Sequence, residues 1–293
     1  MPELPEVQAL VADLGSRLIG RRIAKVDVTA FSALKTYDPP PTVFTGAKFT
    51  DVTRHGKFLD LSASGALTND EPVHLIIHLA RAGWVRWREN SPTPGAGRGK
   101  GPLAARLVLD DGSGFDITEA GTKKSLAVYV VTDPQLVPGI ARLGPDPLEP
   151  GFTVDVLAGI LKKAGRSQIK GILRNQGTIA GIGNAYSDEI LHVAKMSPFK
   201  AADMPPADVA TLYAAMQSTL RDAVARADGV AASELKAEKK SGLRVHGRNG
   251  LPCPVCGDTV RQVIFSDSTF QYCPTCQTGG KPLADRVLSR LLK

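Results

Sequence analysis

The chain has 293 residues, of which 43% are hydrophobic and 22% charged, the composition of a globular protein with room for two domains. The formal net charge of +7 lies in the second half, because residues 1–150 hold 17 Lys/Arg and 17 Asp/Glu whereas residues 151–293 hold 19 and 12. The apolar runs are much shorter than the roughly 20 residues that cross a bilayer, and the first residues form no basic leader or apolar segment. We therefore expect a cytoplasmic protein (nucleoid-associated if bacterial) with no membrane partner.

The first half of the chain shows one helical pattern followed by short β-like patterns. The helical pattern is an apolar face, ended by Gly20, that is made of Val7, Leu10, Val11, Leu14 and Leu18. The β-like runs are separated by turns and cover residues 23–30, 43–52, 58–62, 74–87, 104–110 and 125–131. One helix followed by many strands favours a β-sandwich over a βαβ fold. Residues 91–102 have no period and are predicted to form a loop.

The second half is helical. Five prolines and three glycines among the 19 residues of 133–151 predict a linker between domains. Beyond it, helical periodicity covers residues 154–163, 168–174, 185–193 and 207–227. The second and third helices are joined by the glycine-rich residues 177–184, whose backbone N–H groups at a helix start offer an anion site. Many helix pairs, however, turn on glycine for steric reasons only.

All four cysteines occur near the end of the chain in two Cys-x-x-Cys pairs, which sixteen residues separate: Cys253, Cys256, Cys273 and Cys276. This spacing is typical of a site in which two turns each supply two thiolates to one structural zinc ion. A disulfide framework is the alternative, but it is typical of small secreted domains. Six basic residues lead into and enter the segment: Lys236, Lys239, Lys240, Arg244, Arg248 and Arg261. A basic field beside a zinc hairpin favours nucleic-acid binding over a solvated lysine face.

The two ends of the chain together resemble one family. The sequences MPELPEV at 1–7 and GIGNAYSDEIL at 181–191, followed by the cysteine pairs, are similar to the formamidopyrimidine-DNA glycosylase and endonuclease VIII family along essentially the whole chain. The resemblance implies an α+β multidomain fold, with an N-terminal helix plus β-sandwich, then a helix–two-turn–helix domain with a C-terminal four-cysteine zinc finger. We place the catalytic sandwich at 1–132, the linker at 133–151, the helix–two-turn–helix domain at 152–245 and the zinc finger at 246–293.

The resemblance also implies a bifunctional DNA glycosylase/AP lyase of base-excision repair that acts on oxidised bases. If Met1 is removed, Pro2 presents a secondary α-amine, and an α-amine has a pKa near ~8, well below that of lysine, so more of it is nucleophilic. Attack on C1′ of a damaged nucleotide expels the base and leaves an iminium (Schiff base), from which β,δ-elimination nicks the strand. Glu3 matches the family's acid/base at the sugar. Lys57 matches a lysine that binds phosphate and helps keep Pro2 deprotonated by like charge.

Further positions match DNA-binding residues of the family. Lys170 and Asn184 match its phosphate clamps, and Arg248 lies where the family has a basic residue before the zinc cysteines. We therefore expect a monomeric protein that binds damaged double-stranded or single-stranded DNA.

Three motifs depart from the family pattern. Arg81, in HLARAG at 78–83, stands where the family has a methionine wedge that fills the gap left by a flipped base, and we expect Arg81 to bind DNA by stacking in part of that gap. The loop at 119–125 has no aromatic residue. Ser268 stands in place of the arginine with which the family's zinc hairpin binds phosphate. Arg261 is the nearest residue that could bind phosphate instead. The residues that would open the DNA duplex therefore differ from the family pattern, while the catalytic residues Pro2, Glu3 and Lys57 are present.

Two other interpretations remain open. A non-catalytic paralogue that binds damaged DNA would keep the zinc finger and lose the chemistry. The presence of Pro2, Glu3 and Lys57 argues against it, because a protein that only binds needs none of the three together. A zinc-ribbon protein linked to RNA or translation would explain the ribbon and the charge but not the N-terminus.

Overall fold

The computed structural model describes residues 1–65, 71–90, 102–265 and 268–284, which fold as two compact units. Unit 1 comprises Met1–Arg142 and Ala227–Lys236, and unit 2 comprises Leu143–Arg226 and the chain from Ala237 onward. The loop predicted at 91–102 lies almost entirely outside the described residues, as does the side chain of Ser268.

Unit 1 is a β-sandwich packed by one helix, α1 (Leu4–Leu18). One antiparallel sheet has the order β1 (Ile23–Val28), β6 (Leu103–Leu109), β7 (Gly114–Glu119), β5 (Gly83–Arg88). The other has the order β2 (Lys48–His55), β3 (Phe58–Ser64), β4 (Val73–His78), β8 (Ala127–Val131). A single core takes Leu10 from the helix, Phe49 from one sheet and Phe115 from the other, all at most 1% exposed. Burial of each such side chain contributes roughly 1.5–3 kcal/mol to the free energy of folding. The predicted helix and sandwich are confirmed.

The strands differ from their predicted positions where local chemistry interrupts the pattern. The run predicted at 74–87 is two strands, because the chain turns at 79–82 with Ala80 at φ 50°. The first part of the run predicted at 43–52 forms a 3-10 turn that ends at Phe44. The strand β7 was not predicted, because an acid at its centre, Asp116, breaks the apolar alternation. Asp116 is 1% exposed and binds Arg106 Nε at 2.6 Å, so the buried charge is paired.

Unit 2 is helical with a short terminal hairpin. Its four predicted helices are confirmed to within one residue as α3 (Val154–Ala164), α4 (Ile169–Arg174), α5 (Asn184–Val193) and α6 (Pro206–Ala227). A further helix, α7 (Leu235–Gly242), begins in unit 1 and follows α6 along the chain. The hairpin pairs β9 (Arg261–Phe265) with β10 (Ser268–Tyr272), and the short helix α8 (Pro274–Thr278) follows it. Among the described helices, none is long and apolar enough to cross a membrane.

The compact units differ from the predicted domain boundaries in two segments. The linker predicted at 133–151 contains a short helix, α2 (Pro138–Ala141), flanked by the buried Val137, and residues up to Arg142 belong to unit 1. Proline is compatible with the first turn of a helix, so its abundance did not indicate an extended chain here. Residues 227–236 also belong to unit 1, because Ala232 and Leu235 pack into its core.

Candidate functional site

The start of α1 holds Glu3 by a capping box. Glu3 is the N-cap of the helix, and its backbone N–H donates to Glu6 Oε2 at 2.8 Å while the Glu3 carboxylate accepts the backbone N–H of Glu6. The two residues are 2% and 1% exposed, and Pro2 is buried beside them. N–H groups at a helix start stabilise such carboxylates. Glu6 was not predicted as a site residue, although the Glu-x-x-Glu spacing resembles a capping box.

Lys57 and His78 lie at the adjoining ends of two paired strands. Lys57 is 7% exposed in the turn between β2 and β3, and Phe58, the next residue, pairs in register with His78, with ring centroids 4.6 Å apart. Burial lowers the pKa of His78 to about 4, and the charge of Lys57 adds to this effect. His78 is therefore neutral near pH 7. The sequence placed His78 in a family motif but did not identify it as a site residue.

One hydrogen bond ties this turn to the helix. Arg54 Nε, at the end of β2, donates to Gln8 Oε1 at 2.7 Å on α1. Because Arg54 comes three residues before Lys57 and Gln8 five residues after Glu3, the Lys57 turn and the helix start lie at the same end of unit 1. The structure thus places Pro2, Glu3 and Lys57 at one end of the sandwich.

A buried carboxylate stiffens the same hairpin. Asp60, on β3, accepts hydrogen bonds from His55 Nε2 at 3.0 Å and His74 Nδ1 at 2.8 Å, and it is 3% exposed. Burial alone would raise the pKa of Asp60, but the bonds from the two histidines outweigh it and hold the pKa below its usual value. This cluster joins β2, β3 and β4 close to the Lys57 turn.

Arg81 is exposed in the turn between β4 and β5. The turn is tight, because Gly83 N–H donates to Leu79 O at 2.8 Å and a Cβ at Gly83 would lie 2.2 Å from that oxygen. Ala80 occupies the left-handed region, which residues other than glycine rarely adopt. Arg81 therefore occurs at an exposed turn of constrained shape, and its contact with DNA stays a prediction.

Lys170 is buried in unit 2, and its contact with a phosphate stays a prediction. Its side chain is 0% exposed, and Nζ donates to Asp188 Oδ1 at 2.5 Å, Ser187 Oγ at 2.8 Å and Asn184 O at 3.2 Å. These acceptors use the three donors of the ammonium, so a phosphate would have to replace one of them. The ring of Phe270, on β10, lies 4.8 Å from Nζ. Lys170 therefore holds α4, α5 and the hairpin together.

Asn184 also binds the hairpin. Its Nδ2 donates to Thr269 O on β10 at 2.9 Å, and within the described chain its buried Oδ1 has no hydrogen-bond partner. The amide donor predicted to hold a phosphate is therefore used inside unit 2. The amide has a second N–H, so its contact with a phosphate stays a prediction.

Helix α5 also anchors the chain that enters the cysteine segment. Glu189 is 3% exposed and accepts backbone N–H bonds from Arg244 at 2.8 Å, Val245 at 3.0 Å and His246 at 2.9 Å. Burial raises the pKa of Glu189, although these three bonds oppose the rise. His246 Nδ1 lies 2.7 Å from Asp188 Oδ2, the carboxylate that also holds Lys170.

The four cysteines are clustered with the geometry of a metal site. Their Sγ atoms all lie within 4.8 Å of one another, and all four thiols are free. Cys253 and Cys276 are 3.9 Å apart, and Cys256 and Cys273 are 3.3 Å apart. A tetrahedral zinc site with Zn–S bonds of about 2.3 Å has sulfur–sulfur edges of roughly 3.8 Å. The donor set therefore fits one zinc ion.

His192 lies directly behind this cluster. Its Nε2 is 3.4 Å from Cys253 Sγ, and the residue is 3% exposed. Burial lowers the pKa of His192 to about 4, and the charge of Arg244 adds to this effect, so the imidazole is neutral and can donate one N–H to sulfur. Nothing in the sequence pattern indicates this residue, because it occurs on α5, 61 residues before Cys253.

Two of the arginines predicted to bind DNA lie near the cysteine pairs. Arg248 Nη2 donates to Pro252 O at 3.2 Å, just before Cys253, and its buried Nε has no partner among the described residues. Arg261 is exposed at the start of β9. Their contacts with DNA stay predictions.

Comparison with known proteins shows which family the chain resembles. Residues 1–121 match the model of the formamidopyrimidine-DNA glycosylase N-terminal domain, and residues 143–234 match that of the formamidopyrimidine-DNA glycosylase H2TH domain. A Mycobacterium tuberculosis protein described as an uncharacterized formamidopyrimidine-DNA glycosylase-like protein is 62% identical over 153 residues, which are 52% of this chain and 94% of that one.

Longer matches cover both units. The formamidopyrimidine-DNA glycosylase of Symbiobacterium thermophilum is 35% identical over 291 residues, covering 94% of this chain and 89% of its own. The crystal structure of the MutM (Fpg) protein from Thermus thermophilus matches with a TM-score of 0.78 and 28% identity, over 96% of this chain and all of that one (100%).

Proposed function

The chain belongs to the formamidopyrimidine-DNA glycosylase family, and we propose that it is a bifunctional DNA glycosylase/AP lyase of base-excision repair. The main supporting observation is the buried capping box in which Glu6 fixes the backbone of Glu3 and thereby the direction of Pro2. Lys57 lies at the same end of unit 1. The names of the relatives support a DNA glycosylase, and the lyase activity is our inference from these residues.

In the proposed reaction, Pro2 is the nucleophile after removal of Met1. The Pro2 nitrogen forms a bond to C1′ of the damaged nucleotide as the glycosidic bond breaks and the base leaves with the bonding electrons. Loss of the amine proton and opening of the sugar ring give an iminium, and removal of a 2′ proton then expels the 3′ phosphate. A second elimination expels the 5′ phosphate. Glu3 exchanges protons at the sugar and the iminium.

Lys57 supplies positive charge at the reacting end of unit 1. A like charge favours the neutral form of a nearby amine, and the charge of Lys57 also helps to lower the pKa of His78. The same ammonium would bind a phosphate next to the damaged nucleotide. The neutral His78 adds one hydrogen-bond donor beside it.

Unit 2 would hold DNA through its helices and hairpin. Cys253, Cys256, Cys273 and Cys276 would bind one structural zinc ion, which fixes the turns on both sides of β9 and β10. Arg261 and Arg248 would bind phosphates, while Lys170 and Glu189 maintain the fold beneath them. The proposed partner is damaged DNA, bound by a monomer.

Borohydride trapping tests the proposal, because it reduces an iminium to a stable amine that links protein to DNA. We expect trapping on duplex DNA with an abasic site when Pro2 is the first residue. An extension before Pro2 should abolish trapping, and the same extension after Lys293 should not. If no adduct forms although the protein binds the DNA tightly, it is a non-catalytic binding protein.

A further inference from the structure

A groove in unit 1, remote from Glu3, contains both tryptophans of the chain. Its volume is about 590 Å³, within the range of ligand sites, and its walls come from α1, β5 and residues 231–236, which all belong to unit 1. Asp13 and Arg17 line it from α1. At about 1.5 Å per helical residue, they lie roughly 15–21 Å along the helix from Glu3. The groove is therefore distinct from the proposed catalytic end.

Positive charge dominates the groove. It is lined by four cationic side chains and one carboxylate: Arg17, Arg86, Arg88, Lys236 and Asp13. Arg17 is neutralised by Asp13 at 2.8 Å, and Arg88 binds Asp116 at 3.0 Å. Arg86 and Lys236 are exposed and form no ion pair within the described part of the chain. Among the residues that the structure describes, these two cations thus have no counter-charge.

These two cations affect each other. Partial burial of its ammonium lowers the pKa of Lys236, and the positive charge of Arg86 lowers it further. Like charges held this close are unfavourable unless an anion neutralises them. Arg88, two residues after Arg86 on β5, lies on the same face of the strand about 7 Å further along. The cations therefore extend along the groove rather than surrounding one point.

The tryptophans provide aromatic surface beside these charges. Trp84 is 7% exposed, its Nε1 donates to Ala232 O at 2.8 Å, and Lys236 Nζ lies 4.5 Å from its ring. Trp87 is partly exposed, with Arg17 4.8 Å from its ring. Because side chains alternate along a strand, Trp87 lies on the opposite face of β5 from Arg86, so a ligand that contacts both must cross the outer edge of β5, the last strand of its sheet. A row of cations beside a partly exposed aromatic ring is the chemistry that binds single-stranded nucleic acid, because phosphates pair with the cations and a base stacks on the ring.

We propose that this groove binds a single strand of nucleic acid, with phosphate between Arg86 and Lys236 and a base against Trp87. The strand would be bound without base readout, because phosphate contacts and stacking carry little sequence information. The proposal does not depend on the lyase chemistry. It gives unit 1 a second nucleic-acid contact, distant from Pro2.

Tryptophan fluorescence measures this binding selectively, because the chain has two tryptophans and both line the groove. The full-length protein is titrated with an oligothymidylate, with thymidine monophosphate and with inorganic phosphate. The oligothymidylate should quench the emission at much lower concentration than the two small ligands. If either small ligand binds as tightly, the groove is a site for free phosphate compounds and the strand proposal is wrong.

Charge variants complete the test. Arg86→Gln combined with Lys236→Gln should weaken oligothymidylate binding at least tenfold and should reduce the salt slope by about 0.7 for each phosphate that is no longer bound. Arg142→Gln, which removes one positive charge at an exposed position outside the groove, is the control. An unchanged affinity in the double variant, or an equal weakening in the control, would overturn the proposal.

A second variant guards against a folding defect. Trp87→Phe keeps an aromatic ring and all cations, and it should weaken binding less than the double charge variant does, with the remaining emission of Trp84 as the signal. Borohydride trapping on short abasic duplexes should be unchanged in every groove variant. A protein that traps normally but shows no quenching by oligothymidylate would refute the groove and leave the lyase proposal intact.

Discussion

The ammonium of Lys170 lies 2.5 Å from Asp188 Oδ1, and both side chains are 0% exposed. His246 Nδ1 lies 2.7 Å from Oδ2 of the same carboxylate, and the backbone N–H of Gln271 donates to its Oδ1 at 3.2 Å. This pair therefore joins the helix–two-turn–helix segment to the hairpin that carries the second cysteine pair. Removing one partner of such a buried pair leaves the other charge uncompensated.

Lys170→Met should destabilise unit 2 by about 3–5 kcal/mol, because Asp188 would remain buried without its counter-charge. Urea unfolding followed by circular dichroism measures the destabilisation, with the exposed Lys162→Met as the control. A change below about 1 kcal/mol with a reduced salt slope for DNA binding would instead support the phosphate clamp.

Glu6 is expected to act as a positioning residue for Glu3. Glu6→Ala should lower the rate of the lyase reaction, because the Glu3 N–H loses its acceptor, and should cost about 1 kcal/mol of stability. Glu6→Gln keeps an oxygen acceptor and should restore most of the rate. If both variants lose the rate equally while stability is kept in Glu6→Gln, the carboxylate of Glu6 takes part in the chemistry itself.

His78 should make unit 1 less stable at mildly acidic pH. Its pKa is about 4 in the folded protein and 6.5 in its ordinary state, so the unfolded chain binds more protons between these values. Stability is therefore present above pH 6.5 and is lost as pH falls towards 4, by about 1–2 kcal/mol between pH 7 and pH 5. Urea unfolding at both pH values should show a smaller decrease in His78→Gln, and an identical decrease would contradict the assignment.

Freshly purified protein should contain one zinc ion per chain. Cys273→Ser should remove the metal and weaken DNA binding, while unit 1 stays folded. Because both tryptophans belong to unit 1, their emission reports its unfolding separately. Elemental analysis without zinc, or absence of the tryptophan transition in the variant, would contradict a local structural site.

His192→Phe should weaken zinc binding about 10–100-fold, since the variant keeps the buried ring but loses the N–H that can donate to Cys253 Sγ. Competition with a chromogenic chelator measures the affinity. Tyr213→Phe is a suitable control, because it also removes one side-chain donor, to Phe152 O, within the helices of unit 2. Equal affinity in the wild type and in His192→Phe would show that the histidine only fills space.

The sequence predicted those elements whose pattern lies within one short stretch of the chain. The apolar face of α1, the four helices of unit 2 and the paired cysteines each carry their pattern within a short stretch, and the structure has them as predicted. The strand β7 was missed because Asp116 interrupts its alternation and is compensated by Arg106, which lies on another strand. Pairing across a sheet has no local signature.

Site residues could be predicted from the sequence only where a short motif contains them. Lys170 was predicted to bind phosphate because it matches the family's phosphate clamps, and the sequence does not show that Asn184, Ser187 and Asp188 surround its ammonium. The groove cations Arg86 and Lys236 are 150 residues apart in the chain, so only the fold of unit 1 brings them together. His192 was missed for the same reason.

The most direct test of the proposed chemistry is to locate the bond that borohydride traps. The trapped complex on abasic-site DNA is digested, and peptide mass spectrometry identifies the residue that carries the sugar remnant. We expect the remnant on the nitrogen of Pro2, in a protein that has lost Met1. A remnant on Lys57 or on any other lysine, with Pro2 unmodified, would contradict the proposed nucleophile.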